Sequence, residues 1–230
     1  MSSPIAKLKK SPLDKLLIKT HQKLSHTHRV EVLSALFNNI IKKFFNTSDQ
    51  IKLLDVGCGD MSIAESICQL DNRVIPVCID VFNLPENLKT EDRWKKYLKF
   101  DGVNIPFTDK YFDMAILSDV LHHDFKNSYN LLRESVRVSK YVLVKDHFEY
   151  GTYSRLTLKL MDIIGNWGYG VTIPKKYFTK VTYQNLLEQL NVKEEHRIEN
   201  VNLYSHNILF KILLRPSWQF ISLIKNESTT

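Results

Sequence analysis

Five short apolar runs separated by helical stretches constrain this chain more than any other feature. They fall at Lys52 to Val56, Val74 to Ile79, Tyr97 to Phe100, Met114 to Ser118 and Tyr141 to Lys145. Alternation of this kind argues for a parallel sheet joined by right-handed crossovers. Candidate helices lie between the runs at Ser62 to Leu70 and Asn127 to Val138, the second with Leu131, Leu132 and Val136 turned inward. Two later β-rich runs, Val192 to Tyr204 and His206 to Leu214, have the alternation of an antiparallel pair. The expected fold is α/β: a Rossmann-like, doubly wound, seven-stranded, mostly parallel sheet whose last strand is antiparallel.

Decoration is expected at two places. Residues 1–10 read as a loose tail, and Ser11-Pro12-Leu13-Asp14 supplies a cap, a first-turn proline and a carboxylate for a helix running to about Leu24. A second helix begins near Thr27, with Val30, Leu33, Phe37, Ile40, Ile41 and Phe44 on one face. Residues 1–48 are therefore read as a tail and helices covering the sheet or the site, and 49–230 as the main domain. Residues 151–180 break the rhythm. Four of the seven glycines (Gly151, Gly165, Gly168, Gly170) flank a helix with Leu156, Leu160, Ile163 and Ile164 on its apolar face, which reads as a lid insertion. A helix at Tyr183 to Leu190 follows.

The chemistry is concentrated where strands end. Leu53-Leu54-Asp55-Val56-Gly57-Cys58-Gly59-Asp60 leaves a buried strand and bends into a helix, and Gly57 and Gly59 let backbone approach a ligand with no Cβ in the way. A Gly-x-Gly also occurs in plain strand-to-helix turns. Asp80, closing the next strand 21 residues after Gly59, stands where a doubly wound fold places the carboxylate that accepts ribose hydroxyls. A nicotinamide cofactor is disfavoured, because its Gly-x-Gly-x-x-Gly would need glycine at position 62, which is Ser62.

These residues, with Asp101 before Ile105-Pro106-Phe107, Tyr111-Phe112-Asp113, and Ser118-Asp119-Val120-Leu121-His122-His123, match one family in order and spacing. Over about residues 50–150, and more weakly to 214, the chain resembles the class I S-adenosylmethionine-dependent methyltransferases, especially the small-molecule branch related to quinone-biosynthesis methyltransferases. The resemblance implies S-adenosylmethionine as cofactor and S-adenosylhomocysteine as product. Cofactor contacts are implied for Asp55, Gly57, Cys58, Gly59, Asp80, Val81, Asp101, Gly102, Val103 and Ser118. Among these, Gly57 and Gly59 would border the methionine part and Asp55 its ammonium. Asp80 would hold the ribose, Asp101 the adenine amino group, Gly102 and Val103 the ring, and Ser118 the sulfonium side. Met61 departs from the family, many of whose members carry a third glycine there.

A sulfonium methyl is already activated, so transfer mainly requires alignment and exclusion of water. A base is added when the acceptor must lose a proton. The candidate catalytic residues are His122, His123 and His147, with Asp146 and Tyr150 as further candidates; loop packing or capping is the alternative for each histidine. Asp60 reads equally as a helix cap, and Asp113 as a strand-entry residue. No metal site is assigned, although these histidines with Asp124 or Asp146 have the donor types for one. Aromatic residues of the lid region (Tyr150, Tyr153, Trp167, Tyr169, Tyr177), together with Arg155, could line an acceptor pocket or form a small core.

Composition narrows the partners. The net charge of +7 is spread along the chain except for Lys7, Lys9, Lys10, Lys15 and Lys19. Solvated surface is the reading and nucleic acid is disfavoured as a partner. A small-molecule acceptor is expected, and an RNA or protein methyltransferase or a non-catalytic cofactor-binding member is the alternative. No run reaches the roughly 20 apolar residues of a membrane span, and no signal-peptide pattern is present, so a cytoplasmic location is expected. Trp218, Phe220 and Ile221, with Lys225, offer a peripheral membrane contact, against tail packing on the last strands. Cys58, Cys68 and Cys78 fit no zinc or disulfide pattern and are read as reduced thiols.

Overall fold

Strands buried on both faces must send successive side chains into two different cores, and β4 (Phe112–Ser118) does so: Met114 and Ile116 enter one, Ala115 and Leu117 the other. The structure is a computed structural model describing residues 26–46, 49–84, 91–165, 173–203 and 215–226. Its seven strands are β1 (Ile51–Val56), β2 (Val74–Asp80), β3 (Tyr97–Lys99), β4, β5 (Ser139–His147), β6 (Val192–Glu199) and β7 (Gln219–Asn226). They lie in the order β3-β2-β1-β4-β5-β7-β6. The pairs from β3 to β5 are parallel, and β7 runs antiparallel to both β5 and β6. The doubly wound sheet with an antiparallel last strand is thus the fold.

Helices cover both faces. On one, α1 (Thr27–Phe44) and α2 (Ser62–Leu70) bring Leu33, Phe37, Ile40, Ile41 and Ile67 against Leu53, Met114, Ile116, Leu143, Ile221 and Leu223. On the other, α3 (Ser128–Val138) and α5 (Lys180–Gln189) pack Leu131, Leu132, Val136, Leu186 and Leu187 onto Leu54, Val56, Leu117, Val142, Val144 and Phe220. At about 1.5 to 3 kcal/mol for each fully buried large apolar side chain, these two layers supply most of the stabilisation. A capping box at Thr179 and Thr182 starts α5. The lid helix α4 (Thr152–Gly165) falls where the sequence places it, as do α1, α2 and α3 within a residue or so.

At the C-terminal end one pairing is corrected and one open alternative is decided in favour of packing on the last strands. The antiparallel partner of β6 is β7 at Gln219–Asn226; the run His206 to Leu214 lies outside the described residues. Trp218, Phe220 and Ile221 are buried at 4%, 0% and 1% exposure, so they are core residues and give no membrane contact. The apolar pattern of β7 comes from being covered on both faces. The helix read from Ser11 to Leu24, the lysines before it, Trp167, Gly168, Tyr169 and Gly170 all lie outside the described residues. No described helix is long and apolar enough to cross a membrane.

Candidate active site

Parallel register brings the ends of four strands to one edge. Val56 pairs with Ile79 and with Leu117, and Ser118 pairs with Lys145. Gly57, Asp80, Asp119 and Asp146 consequently emerge side by side at the carboxyl edge, the usual ligand edge of doubly wound sheets.

The bend after β1 is made by left-handed backbone. Gly57 has φ +68°, Gly59 φ +53° and Met61 φ +62°. The third of these explains the missing glycine: the position still requires a positive φ, and a fully buried methionine occupies it. A Cβ on Gly57 would lie 2.7 Å from Val120 Cγ2, whereas one on Gly59 would meet nothing within 4 Å. Open space therefore adjoins the Gly59 amide, which donates to Asp80 Oδ2 at 2.9 Å. The Val81 amide donates to Asp80 Oδ1 at 2.7 Å. These backbone amides leave part of the carboxylate's roughly four lone-pair sites for a ligand hydroxyl. Burial raises the pKa of Asp80, and the amides of Gly59, Val81 and Phe82 oppose that rise.

Asp55 lies behind this bend at 3% exposure. Burial, then the charges of Asp80 and Asp60, push its pKa up to about 8. A cation arriving beside it would favour its ionised form. The loops after β2 and β3 present Val81 and Val103, 45% and 39% exposed, on either side of Gly102, whose Cβ position lies 3.1 Å from Val81 Cγ1. Two exposed apolar side chains beside an open loop suit the faces of a flat ring. Asp101 is exposed and accepts from Val103 N, Asn104 N and Asn104 Nδ2 at 2.7, 2.6 and 2.8 Å, contacts that hold its pKa low. Its carboxylate thus shapes the loop carrying Gly102 and Val103. Cys58 is half-buried beside Cys78, and burial raises its thiol pKa; all three cysteines are free.

The second half of the edge is charged and buried. His122, in the turn Leu121–Asp124 after β4, is 1% exposed, and its Nδ1 lies 2.6 Å from Asp146 Oδ1. Burial works against charge on His122, but the Asp146 carboxylate outweighs it, with help from Asp162 and Asp119, and the pKa rises to about 9. Burial alone would raise the Asp146 pKa; His122, with His147 behind it, holds it below the usual carboxylate range. His147 is 9% exposed and takes the opposite course, because burial and the Lys145 ammonium lower its pKa. Its Nδ1 lies 3.3 Å from Asp119 Oδ1. Lys145 is itself buried and donates to Asp119 Oδ1 at 2.5 Å, while Arg29, from the first turn of α1, pairs with Asp119 and lies 3.4 Å from Ser118 Oγ. Asp119 holds φ +58°, a conformation aspartate tolerates better than most residues.

Helix α4 reaches this cluster through Asp162. Asp162 of α4 accepts from the Tyr177 hydroxyl and lies 3.5 Å from His122 Nε2. The His123 ring stacks obliquely on His122, centroids 4.2 Å apart. Tyr150 and Tyr153 are exposed, Arg155 pairs with Glu149, and only Tyr177 of the described aromatic residues of the lid region reaches the cluster. Asp113 accepts from Lys52 N and Lys140 Nζ, as a strand-entry residue does, and Asp60 Oδ1 accepts from Ser62 N at the start of α2.

Arg29, Asp119, Lys145 and Asp162 escape a sequence reading. Lys145 looks like an exposed strand end, yet its position two residues after Leu143 puts it on the α1 face. The one available signal is a polar run, Lys145-Asp146-His147, continuing a strand with no solvent-facing side.

Comparison with known proteins agrees with this geometry. Residues 54–141 match a family model described as a methyltransferase domain. No curated protein matches the chain. Among solved structures, a magnesium protoporphyrin IX methyltransferase from Synechocystis PCC 6803 with bound S-adenosylhomocysteine superposes with TM-score 0.59 at 10% identity, covering 96% of this chain and 90% of that one. A SAM-dependent methyltransferase from Aquifex aeolicus gives 0.53 at 16% identity over 95% and 98%. The mitomycin 7-O-methyltransferase MmcR gives 0.59 at 14% identity, over 93% of this chain and 56% of that one. At these identities the likeness is one of fold.

Proposed function

We infer that this chain is a class I S-adenosylmethionine-dependent methyltransferase and that it methylates an oxygen or nitrogen of a small acceptor held between α4 and the carboxyl edge. The observation that carries this reading is the buried His122, Asp146, His147 and Lys145 cluster under α4, on the far side of Ser118 from Asp80. An acceptor reaching it must fit beneath Asp162 and Tyr177, which favours a metabolite over a nucleic acid or a folded protein. The acceptors named for the mitomycin and magnesium protoporphyrin neighbours are small molecules, which supports the same class.

The chain's residues divide the work. When bound, S-adenosylmethionine supplies an activated methyl. Asp80 would accept from the ribose hydroxyls, Val81, Gly102 and Val103 would flank the adenine, and Asp55 would balance the ammonium in its ionised form. Gly57, Cys58 and Gly59 would leave room for the methionine part, and Ser118 would border the sulfonium. With its Nδ1 held by Asp146 and its Nε2 on the side of Asp162, His122 would face the acceptor through Nε2, and His123 and His147 would complete that wall.

Calorimetry with S-adenosylhomocysteine tests the cofactor half. Two charge-assisted hydrogen bonds at about 1.5 to 3 kcal/mol each predict at least about a 100-fold loss of affinity in Asp80→Ala. Incubation with radiolabelled cofactor and separated cell fractions tests the acceptor half. Label in the small-metabolite fraction is expected; label confined to RNA or protein refutes it.

A further inference from the structure

We propose that His122, His123 and Asp162 bind a first-row divalent transition ion of the zinc type at the seam between the lid helix and the carboxyl edge. The proposal rests on the acceptor-end reading above and adds a ligand to it. One donor atom from each of the three residues lies within 4.8 Å of the other two. His122 is 1% exposed, and its Nε2 has no hydrogen-bond partner although Asp162 Oδ2 is 3.5 Å away. A metal ion that displaces the proton of this buried nitrogen would gain a lone pair already aimed at Asp162. Its other nitrogen sits 2.6 Å from Asp146 Oδ1. Carboxylates hold metal-binding histidines in this way, fixing the tautomer and presenting the lone pair of the second nitrogen. Asp162 is held in turn by the Tyr177 hydroxyl.

The spacing suits the ion. Zinc-type ions hold nitrogen and oxygen donors at about 2.0 to 2.2 Å in a tetrahedral arrangement, so donors sit about 3.3 to 3.6 Å apart. His122 Nε2 and Asp162 Oδ2, 3.5 Å apart, already meet this, and His123, within 4.8 Å, would close in by up to about 1.5 Å through side-chain rotation. Two imidazoles and one carboxylate favour zinc, iron or cobalt over magnesium or calcium. A neighbouring set, Asp119, His122, Asp146 and His147, is also close-packed. It is the weaker site, because Lys145 and Arg29 already neutralise Asp119, and His122 Nδ1 and Asp146 are committed to each other. Three protein ligands leave positions open on the ion. Those positions would take a hydroxyl, carboxylate or enol oxygen of the acceptor and lower its pKa for methylation. The ion would also tie α4 to the turn after β4.

The test is cobalt(II) titration of the tag-free, chelator-treated full chain, followed by visible absorption and by zinc competition. One equivalent of cobalt(II) should bind at micromolar concentration with d–d bands that zinc abolishes. Asp162→Asn and His123→Gln, both at partly exposed positions, should each weaken binding at least about tenfold. S-adenosylhomocysteine affinity, measured on the same samples, reports that the variants are folded and tests the methyltransferase reading separately. No uptake by the unaltered chain, or undiminished uptake by the double variant, overturns the metal site even where S-adenosylhomocysteine binds normally.

Discussion

Cofactor binding should expel a proton, and the proton comes from Asp55. In the ligand-free protein burial and the charges of Asp80 and Asp60 raise this carboxyl to about 8. At pH 7 such a group is about 90% protonated, so full ionisation on binding releases about 0.9 proton. S-adenosylmethionine brings two cationic centres to the bend, enough to favour the carboxylate. If the bound form titrates below about 5, affinity falls about 50-fold between pH 8 and pH 6. The sign for folding is opposite. A carboxyl whose folded pKa is raised contributes stability that is complete below its unfolded pKa and is lost as pH rises through about 8, so the ligand-free protein should soften across that range. The assay is calorimetric titration at pH 7 in buffers of different ionisation enthalpy, where the slope of observed heat against buffer enthalpy counts protons. A slope near zero, or the same slope in Asp55→Asn, refutes the coupling.

Gly59→Ala should cost only the left-handed backbone term, about 1 to 2 kcal/mol or 2 to 8 °C in Tm, since its Cβ meets nothing, yet cofactor affinity should fall further than stability. Gly57→Ala adds a collision with Val120, and Val120→Ala should restore part of the thermal loss but not the backbone term. His122, raised to about 9, contributes stability that is complete below its unfolded pKa near 6.5 and is lost as pH rises through about 9. In Asp146→Asn the His122 ring, followed by NMR, should titrate below about 8, and the decline of Tm between pH 7 and pH 9.5 should flatten.

Strands β1 to β6, α1 to α4 and the bend after β1 were legible because each depends on local pattern: apolar runs, helical spacing, glycine where φ must be positive. Asp80 was legible for the same reason, being the polar residue that closes an apolar strand. Lys145 and Asp119 were not, because their significance is set by register. Residues 26 apart in sequence meet only because β4 and β5 pair in parallel, with Ser118 opposite Lys145. Asp162 was hidden for a further reason. It sits on a helix whose apolar residues suggest a lid, and nothing in that helix announces which strand end its one carboxylate will face. Trp218, Phe220 and Ile221 left two readings open, because an apolar strand looks the same in sequence whether it enters a membrane surface or the middle of a sheet; their burial bears out packing on the last strands.

Arg29 makes the first helix part of the site's wiring. A shortened protein starting after residue 30 would keep every strand, and its spectroscopic signature would be close to native. It would nonetheless leave Asp119 and Lys145 without the guanidinium that balances them, so such a product would be well folded and chemically mistuned. Fragments chosen by sheet completeness alone would hide that fault until turnover was measured.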